Sequence, residues 1–287
     1  MSQIAVKVEN LSYRYPRTQK EALKNLNLEI NAGEFIALMG ENGAGKTTFC
    51  QCLNGIIPHS KLGYMAGRIL INGIDTRFTT VARLAEQVGI VLEDPETQIF
   101  TTKVRNEVAF ALENLQVPRE EIEKRVQWAL EVVGLENFAY RDPNALSGGQ
   151  KQRLMIAATL AMRPKILVLD EPTSQLDPLA TKDILQIIGQ LRKKYDLTII
   201  MATHHAEDIA ELADRVCVLN NGHLAAMDTP EKIFTNTELM KDNWLKPPQV
   251  VELNNYLAAK GDPLASVPIN TEQAQHAVLQ WVKERGF

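Results

Sequence analysis

Cysteine is scarce: Cys50, Cys52 and Cys217 are the only three in 287 residues. An odd count without a zinc-like pair argues against a disulfide framework and a structural zinc site, and Cys50 and Cys52, two apart on an expected helix, face away from each other. They are read as reduced core thiols. Long hydrophobic runs are also missing. No uncharged apolar stretch approaches the roughly 18 residues of a membrane-spanning helix, and MSQIAVKVEN lacks the basic and apolar regions of a signal peptide, so a cytosolic chain is expected. Nor is positive charge in excess. Thirty-one Lys and Arg against 35 Asp and Glu give −4, which removes the field that draws basic proteins to nucleic acid or anionic lipid, and nucleic acid is not expected as a partner. What is present, 45% hydrophobic and 23% charged residues, is the composition of a soluble globular protein. The length predicts about two domains, one large and one a smaller appendage.

Short β-rich runs alternate with helix-length amphipathic segments to about residue 228, the pattern of a parallel sheet covered by helices. Three runs are continuously apolar, 35–39, 166–169 and 197–202, as suits central strands buried on both faces. Each is followed by glycine-rich or polar residues: Gly40 to Thr48, Asp170-Glu171, and Thr203-His204. In open α/β sheets that carboxyl edge is where ligands bind. Between about 96 and 162 the strands stop and helices are expected over 103–115, 119–133 and 149–162, a helical subdomain inserted into the sheet. Beyond Pro247-Pro248, Val250, Leu253 and Leu257 lie at helical spacing. A last helix, capped at Asn270 or Thr271, carries Ala274, Ala277, Val278, Trp281 and Val282 on one stripe. The expected division is 1–240 and 241–287, and a segment of about 40 residues needs another surface to pack on.

Gly40-Glu41-Asn42-Gly43-Ala44-Gly45-Lys46-Thr47 matches G-x-x-x-x-G-K-[ST] in full, between an expected strand and an expected helix. Such a loop turns consecutive N–H groups toward phosphate oxygens, and the helix that follows adds its positive end. Lys46 then reaches the β- and γ-phosphates and the Thr47 hydroxyl ligates Mg²⁺, with Thr48 beside it. A P-loop alone would equally suit a kinase, a GTPase or a helicase. Leu146-Ser147-Gly148-Gly149-Gln150 discriminates further. Ser147 offers a hydroxyl, and Gly148 and Gly149 expose N–H groups where a helix starts, although a plain N-cap would need only Ser147.

These five residues resemble the signature motif of the ATP-binding-cassette family. That resemblance implies an α/β P-loop NTPase fold with a mixed or parallel sheet core, an inserted helical subdomain and a short C-terminal helical extension. It also implies ATP and Mg²⁺ as cofactors. In the family two nucleotide domains pair head to tail, and the signature of one closes over the γ-phosphate held by the P-loop of the other. On the family pattern Asp170 holds Mg²⁺ and Glu171 is the general base for the attacking water. His204 contacts the γ-phosphate, and Asp177, in Ser174-Gln175-Leu176-Asp177, belongs to a loop that crosses the dimer seam. Tyr15 fits the aromatic that stacks on adenine, or is an ordinary strand tyrosine. His205 is given no role. Glu93 stands where the family usually has Gln, touching Mg²⁺ through an oxygen. It either alters metal dependence and coupling by adding negative charge, or is a tolerated exchange.

Leu53-Asn54-Gly55-Ile56-Ile57-Pro58, Asp94-Pro95-Glu96-Thr97-Gln98 and Asn106-Glu107-Val108-Ala109-Phe110 further resemble the ATPase of energy-coupling-factor importers. That resemblance implies a motor subunit on the cytoplasmic face of the membrane, paired with a second ATPase. A transmembrane coupling subunit and a membrane protein that captures a vitamin or a transition-metal ion would complete the assembly. The C-terminal segment would help hold the ATPase dimer. The alternatives are a soluble cassette ATPase without a transport role and an ATP-binding partner with weak hydrolysis.

Overall fold

The structure, a computed structural model, describes residues 3–285. Among the described residues ten strands form two sheets. β1 (Ile4–Arg14), β2 (Leu23–Asn31), β4 (Tyr64–Ile71) and β5 (Ile74–Asp75) make an antiparallel sheet in the order β2-β1-β4-β5. β3 (Phe35–Met39), β6 (Val88–Val91), β7 (Ile166–Asp170), β8 (Thr198–Ala202), β9 (Arg215–Asn220) and β10 (His223–Asp228) make the second, in the order β10-β9-β3-β8-β7-β6. In that sheet only β10 runs antiparallel to its neighbour.

The three apolar runs become β3, β7 and β8, and every residue in them is buried. Side chains alternate across a strand, so each strand feeds two cores. Phe35, Ala37, Met39, Leu167, Leu169, Ile199 and Met201 join one core with the helices. Ile36, Leu38, Ile166, Val168, Ile200 and Ala202 join the other, between the two sheets. The early β-rich runs therefore do not extend the parallel sheet. They form a separate layer because β1 and β2 alternate buried and open positions, the pattern of strands with one covered face.

The expected helices over the insertion are found at Val104–Asn114, Arg119–Val132 and Gly148–Ala161. The buried Glu107 carboxylate accepts the N–H groups of Phe100 (3.2 Å) and Thr101 (2.8 Å), pinning the loop that enters the first of them. Leu154, Ile156 and Ala157 of the third pack into the same core as β7 and β8, so the insertion is continuous with the sheet rather than separate from it.

Helices Gln249–Ala259 and Thr271–Glu284 close the described chain, the second capped by Asn270, which accepts Gln273 N–H at 2.9 Å. Val250, Leu253 and Leu257 do lie on a helix, but they are not its buried face. The helix instead turns Val251 and Asn254 inward and leaves Leu253 exposed. Asn254 fixes that rotation, because its Oδ1 accepts Leu264 N–H at 3.1 Å and so ties down the following loop. On the last helix Ala274 and Ala277 are buried as expected. All three cysteines are free and buried, and burial pushes the Cys217 thiol up to about 12. Among the described residues no helix is long and apolar enough to cross a membrane.

Candidate functional site

Strands β3, β8 and β7 are consecutive neighbours, so the three segments that leave their carboxyl ends must meet. Two backbone bonds stitch them together there: Thr203 N–H to Leu38 O at 3.1 Å and Glu171 N–H to Ala202 O at 2.9 Å. The cavity they enclose, about 320 Å³, is lined by Tyr15, Glu41, Lys46, Thr47, Glu93, Glu171 and His204 together with the glycine-rich loop. A larger cavity, about 690 Å³, lies at the opposite edge of the sheet beside Trp128 and Tyr195, with no comparable convergence of charged groups.

The loop 40–45 needs glycine where φ is positive and the chain is crowded. At Gly45, φ is 111° and a Cβ would stand 2.6 Å from the Ala22 carbonyl oxygen. Gly45 is also the cap of helix Lys46–Leu53, and no side chain satisfies that helix's first N–H groups. Nor does an acidic residue occupy its first turn. An uncapped helix start with open N–H groups is an anion site.

Lys46 is buried and donates to Gly40 O at 2.8 Å and more weakly to Glu41 O at 3.4 Å, and it pairs with Glu171 Oε1 at 3.2 Å. The other Glu171 oxygen, Oε2, lies 2.9 Å from His204 Nδ1. Glu171 itself has φ 51°. A left-handed conformation in a non-glycine residue costs about 1–3 kcal/mol and persists only where neighbours over-determine it. Here the Ala202 bond and the Ser174 hydroxyl, donating to Glu171 O at 3.1 Å, do so. The result aims the carboxylate back into the cavity.

Asp170 lies behind the Thr47 wall, 1% exposed, with Oδ1 lacking any hydrogen-bond partner. Burial raises its pKa above the ordinary 3.8, against the opposing bond from Thr47. A folded-state pKa raised above the unfolded one means that the stabilisation is complete below the unfolded value and is lost as pH rises through the folded one. Asp170→Asn should therefore raise the melting midpoint of metal-free, nucleotide-free protein at pH 7 by about 2–4 °C, what roughly 1 kcal/mol does in a domain of this size. Thermal melts in chelator should show the gap closing as pH falls toward about 4.

The orphaned Asp170 oxygen, the Thr47 hydroxyl and the facing Glu93 are hard oxygen donors, and they fit Mg²⁺, which takes one or two protein ligands and completes its shell with phosphate and water. No cluster of three or more His, Cys, Asp or Glu side chains that could hold a metal ion exists among the described residues. Tyr15 is half-buried, edge-on to Tyr13 (5.0 Å between centroids, 83°), with its hydroxyl 3.0 Å from Thr48 Oγ1.

Ser147, Gly149, Gln150 and Asp177 do not line this cavity. Ser147 caps helix Gly148–Ala161 in a reciprocal box with Gln150, so the bland reading of Ser147 is realised in the single chain. A Cβ on Gly149 would stand 2.8 Å from Ala180 Cβ, which seats this helix against the helix Pro178–Tyr195. Asp177 caps that second helix, accepting Leu179 N–H (2.9 Å) and Ala180 N–H (3.0 Å). Gly148 and Glu93 share a neighbouring cavity of about 260 Å³.

Sequence reasoning missed the contacts behind the site. Asp208 accepts the Thr173 hydroxyl at 3.0 Å, and Glu207 accepts Gln249 N–H at 3.2 Å from the C-terminal segment. A carboxylate four residues beyond His204 was the available signal, but nothing in the sequence named Thr173 as its partner.

A family model described as "ABC transporter" matches residues 23–174. A putative ABC transporter ATP-binding protein of Pyrococcus horikoshii is 42% identical over 281 residues, 98% of each chain. An energy-coupling factor transporter ATP-binding protein of Clostridium perfringens is 39% identical, over 98% of this chain and 99% of its own. The solved structure of cbiO1 from Clostridium perfringens, part of the ABC transporter complex cbiONQ, superposes with a TM-score of 0.73 at 36% identity. It covers 84% of this chain and 94% of that one. A dimeric ATP-binding cassette in a post-hydrolysis state with ADP and Pi superposes with a TM-score of 0.69 at 29% identity, over 78% and 98%.

Proposed function

Because the chain belongs to the ATP-binding-cassette transporter family and is an ATPase of it, we propose that it is the motor subunit of an importer of the energy-coupling-factor type. Its cargo would be a vitamin or a transition-metal ion such as cobalt or nickel. The observation that carries the catalytic part is the Lys46–Glu171–His204 chain of contacts inside one cavity of about 320 Å³ lined by the glycine-rich loop. The transport part is supported by the full-length likeness to an energy-coupling factor ATPase.

ATP would sit with its phosphates on the 40–48 loop, and Tyr15, which lines the same cavity, would meet the base. Thr47 and Asp170, with Glu93, would hold Mg²⁺, which would supply charge neutralisation on the phosphates. Lys46 leaves Glu171 for the β- and γ-phosphates, which frees the carboxylate to accept a proton from water. His204, 2.9 Å away, orients that carboxylate and reaches the γ-phosphate. Phosphoryl transfer asks mainly for in-line positioning and charge stabilisation, and this set is sufficient.

Ser147, Gly148 and Gly149 lie away from their own chain's P-loop pocket, so they serve a second ATPase, the same chain or a paralogue, in a head-to-tail pair. Within residues 241–285, Leu253, Tyr256, Val267 and Leu279 are exposed, and this segment would help to hold that pair. The motor works on the cytoplasmic face as a peripheral subunit beneath a transmembrane coupling subunit and a capture protein. Purification of the tagged chain in mild detergent should bring down a polytopic membrane protein that raises ATP turnover. Recovery of active ATPase with no membrane protein, from membrane and soluble fractions alike, would favour the soluble alternative.

A further inference from the structure

Two short segments carry the groups that meet over the phosphate cavity: 171–174 with Glu171 and 203–209 with His204. Neither is held by its own secondary structure. Helix Ala206–Ile209 is a single turn with no side-chain cap, too short to persist alone. Glu171 has φ 51°, a backbone setting that neighbours must impose. Inside the cavity the segments touch once, Glu171 Oε2 to His204 Nδ1 at 2.9 Å. Behind it they touch again, where the buried Thr173 donates its hydroxyl to Asp208 Oδ2 at 3.0 Å. The two contacts close a ring that runs from Glu171 through Pro172 to Thr173, across to Asp208, and back through His205 to His204. Thr203 Oγ1 braces the second segment by accepting His205 N–H at 3.1 Å.

We propose that Asp208 and Thr173 are a positioning pair, whose hydrogen bond sets the separation of Glu171 and His204 and so governs the hydrolytic step rather than nucleotide binding. The inference rests on Glu171 and His204 acting as the base and its orienting partner. Neither Asp208 nor Thr173 lines the phosphate cavity, so neither touches ATP. Their effect travels through the ring. A displacement of about 1 Å in a reacting group can cost 10²-fold in rate, and among the described residues the Thr173–Asp208 bond is the one side-chain hydrogen bond that joins the two segments outside the cavity.

The test is steady-state hydrolysis and ATP binding by the full chain carrying Asp208→Ala, Asp208→Asn, Thr173→Val or Thr173→Ser, and the Asp208→Ala/Thr173→Val double variant. The two single losses should each lower kcat about tenfold or more while KM for ATP and the melting midpoint stay near wild type. The double variant should be no worse than the poorer single one, and Thr173→Ser and Asp208→Asn, which keep a donor and an acceptor, should recover most of the turnover. Unchanged kcat in Asp208→Ala would overturn the inference. So would losses that add, or that follow the melting midpoint with no recovery in Thr173→Ser. Glu171→Gln assayed alongside separates the two levels. If it hydrolyses normally, the role given to Glu171 fails. If it is inactive while Asp208→Ala turns over normally, only the positioning pair fails.

Discussion

Glu171→Gln should bind ATP about as well as the wild type, turn it over 10²- to 10⁴-fold more slowly, and accumulate as a nucleotide-held dimer. The range is what a positioned general base contributes. Glutamine keeps the length and planarity of the side chain, so the left-handed backbone at 171 and its bonds to Ala202 and Ser174 are undisturbed. It cannot take a proton from water. It also carries no charge, so the γ-phosphate loses a repulsive neighbour and binding does not suffer. Lys46 retains the Gly40 and Glu41 carbonyls as acceptors, which limits destabilisation of the nucleotide-free protein. ATP at 100 times its Kd then adds about 2.7 kcal/mol of stability. Single-turnover hydrolysis and size-exclusion chromatography with and without ATP measure both halves. Near-normal turnover would remove Glu171 from the chemistry, and a monomer that holds ATP tightly would remove the shared seam. Adding Ser147→Arg to the same variant should abolish the dimer while leaving ATP on the monomer, because Ser147 lies outside the cavity of its own chain.

The parts of this site that were legible in the sequence are those where local chemistry and position coincide. A glycine-rich loop between an apolar strand and a helix permits few folds, and its geometry follows from Gly45 having no room for a Cβ. The carboxylates and the histidine were placed because each follows a fully buried run, and such runs become neighbouring parallel strands whose ends converge. The helical insertion was legible because its amphipathic segments have clear breaks at Pro118 and at Asp142-Pro143. Three things were not. The separate antiparallel sheet depends on which strands pair, and alternation in β1 and β2 says only that one face is covered. In the helix Gln249–Ala259, Val250 and Val251 are equally apolar, and which of them is buried is set by a tertiary bond, Asn254 to Leu264, that helical spacing alone does not reveal. The Thr173–Asp208 contact was hidden for the same reason, its partners being 35 residues apart.

Lys46→Ala should fail a step earlier than Glu171→Gln, at nucleotide binding, with ATP affinity lowered by one to two orders of magnitude. The loss corresponds to the roughly 1.5–3 kcal/mol of a hydrogen bond made to a charged group. The nucleotide-free fold should suffer as well. Lys46 and Glu171 are a buried pair, 6% and 8% exposed at the side chain, and removing one partner of such a pair costs about 3–5 kcal/mol because the other is left as an uncompensated charge. His204 remains 2.9 Å from Glu171 Oε2 and keeps a hydrogen-bond partner on the carboxylate, which pulls the cost toward the lower bound. The two losses have different origins and can be separated. Combining Lys46→Ala with Glu171→Gln removes the stranded carboxylate, so the double variant should melt above Lys46→Ala alone, a coupling of about 0.5–3 kcal/mol, while ATP binding stays as poor as in the single variant. Urea unfolding and calorimetric titration of the three proteins test this. A double variant that is less stable than Lys46→Ala would mean that Glu171 is held by contacts other than the lysine, and one that regains ATP affinity would mean that the lysine assists binding only by offsetting Glu171.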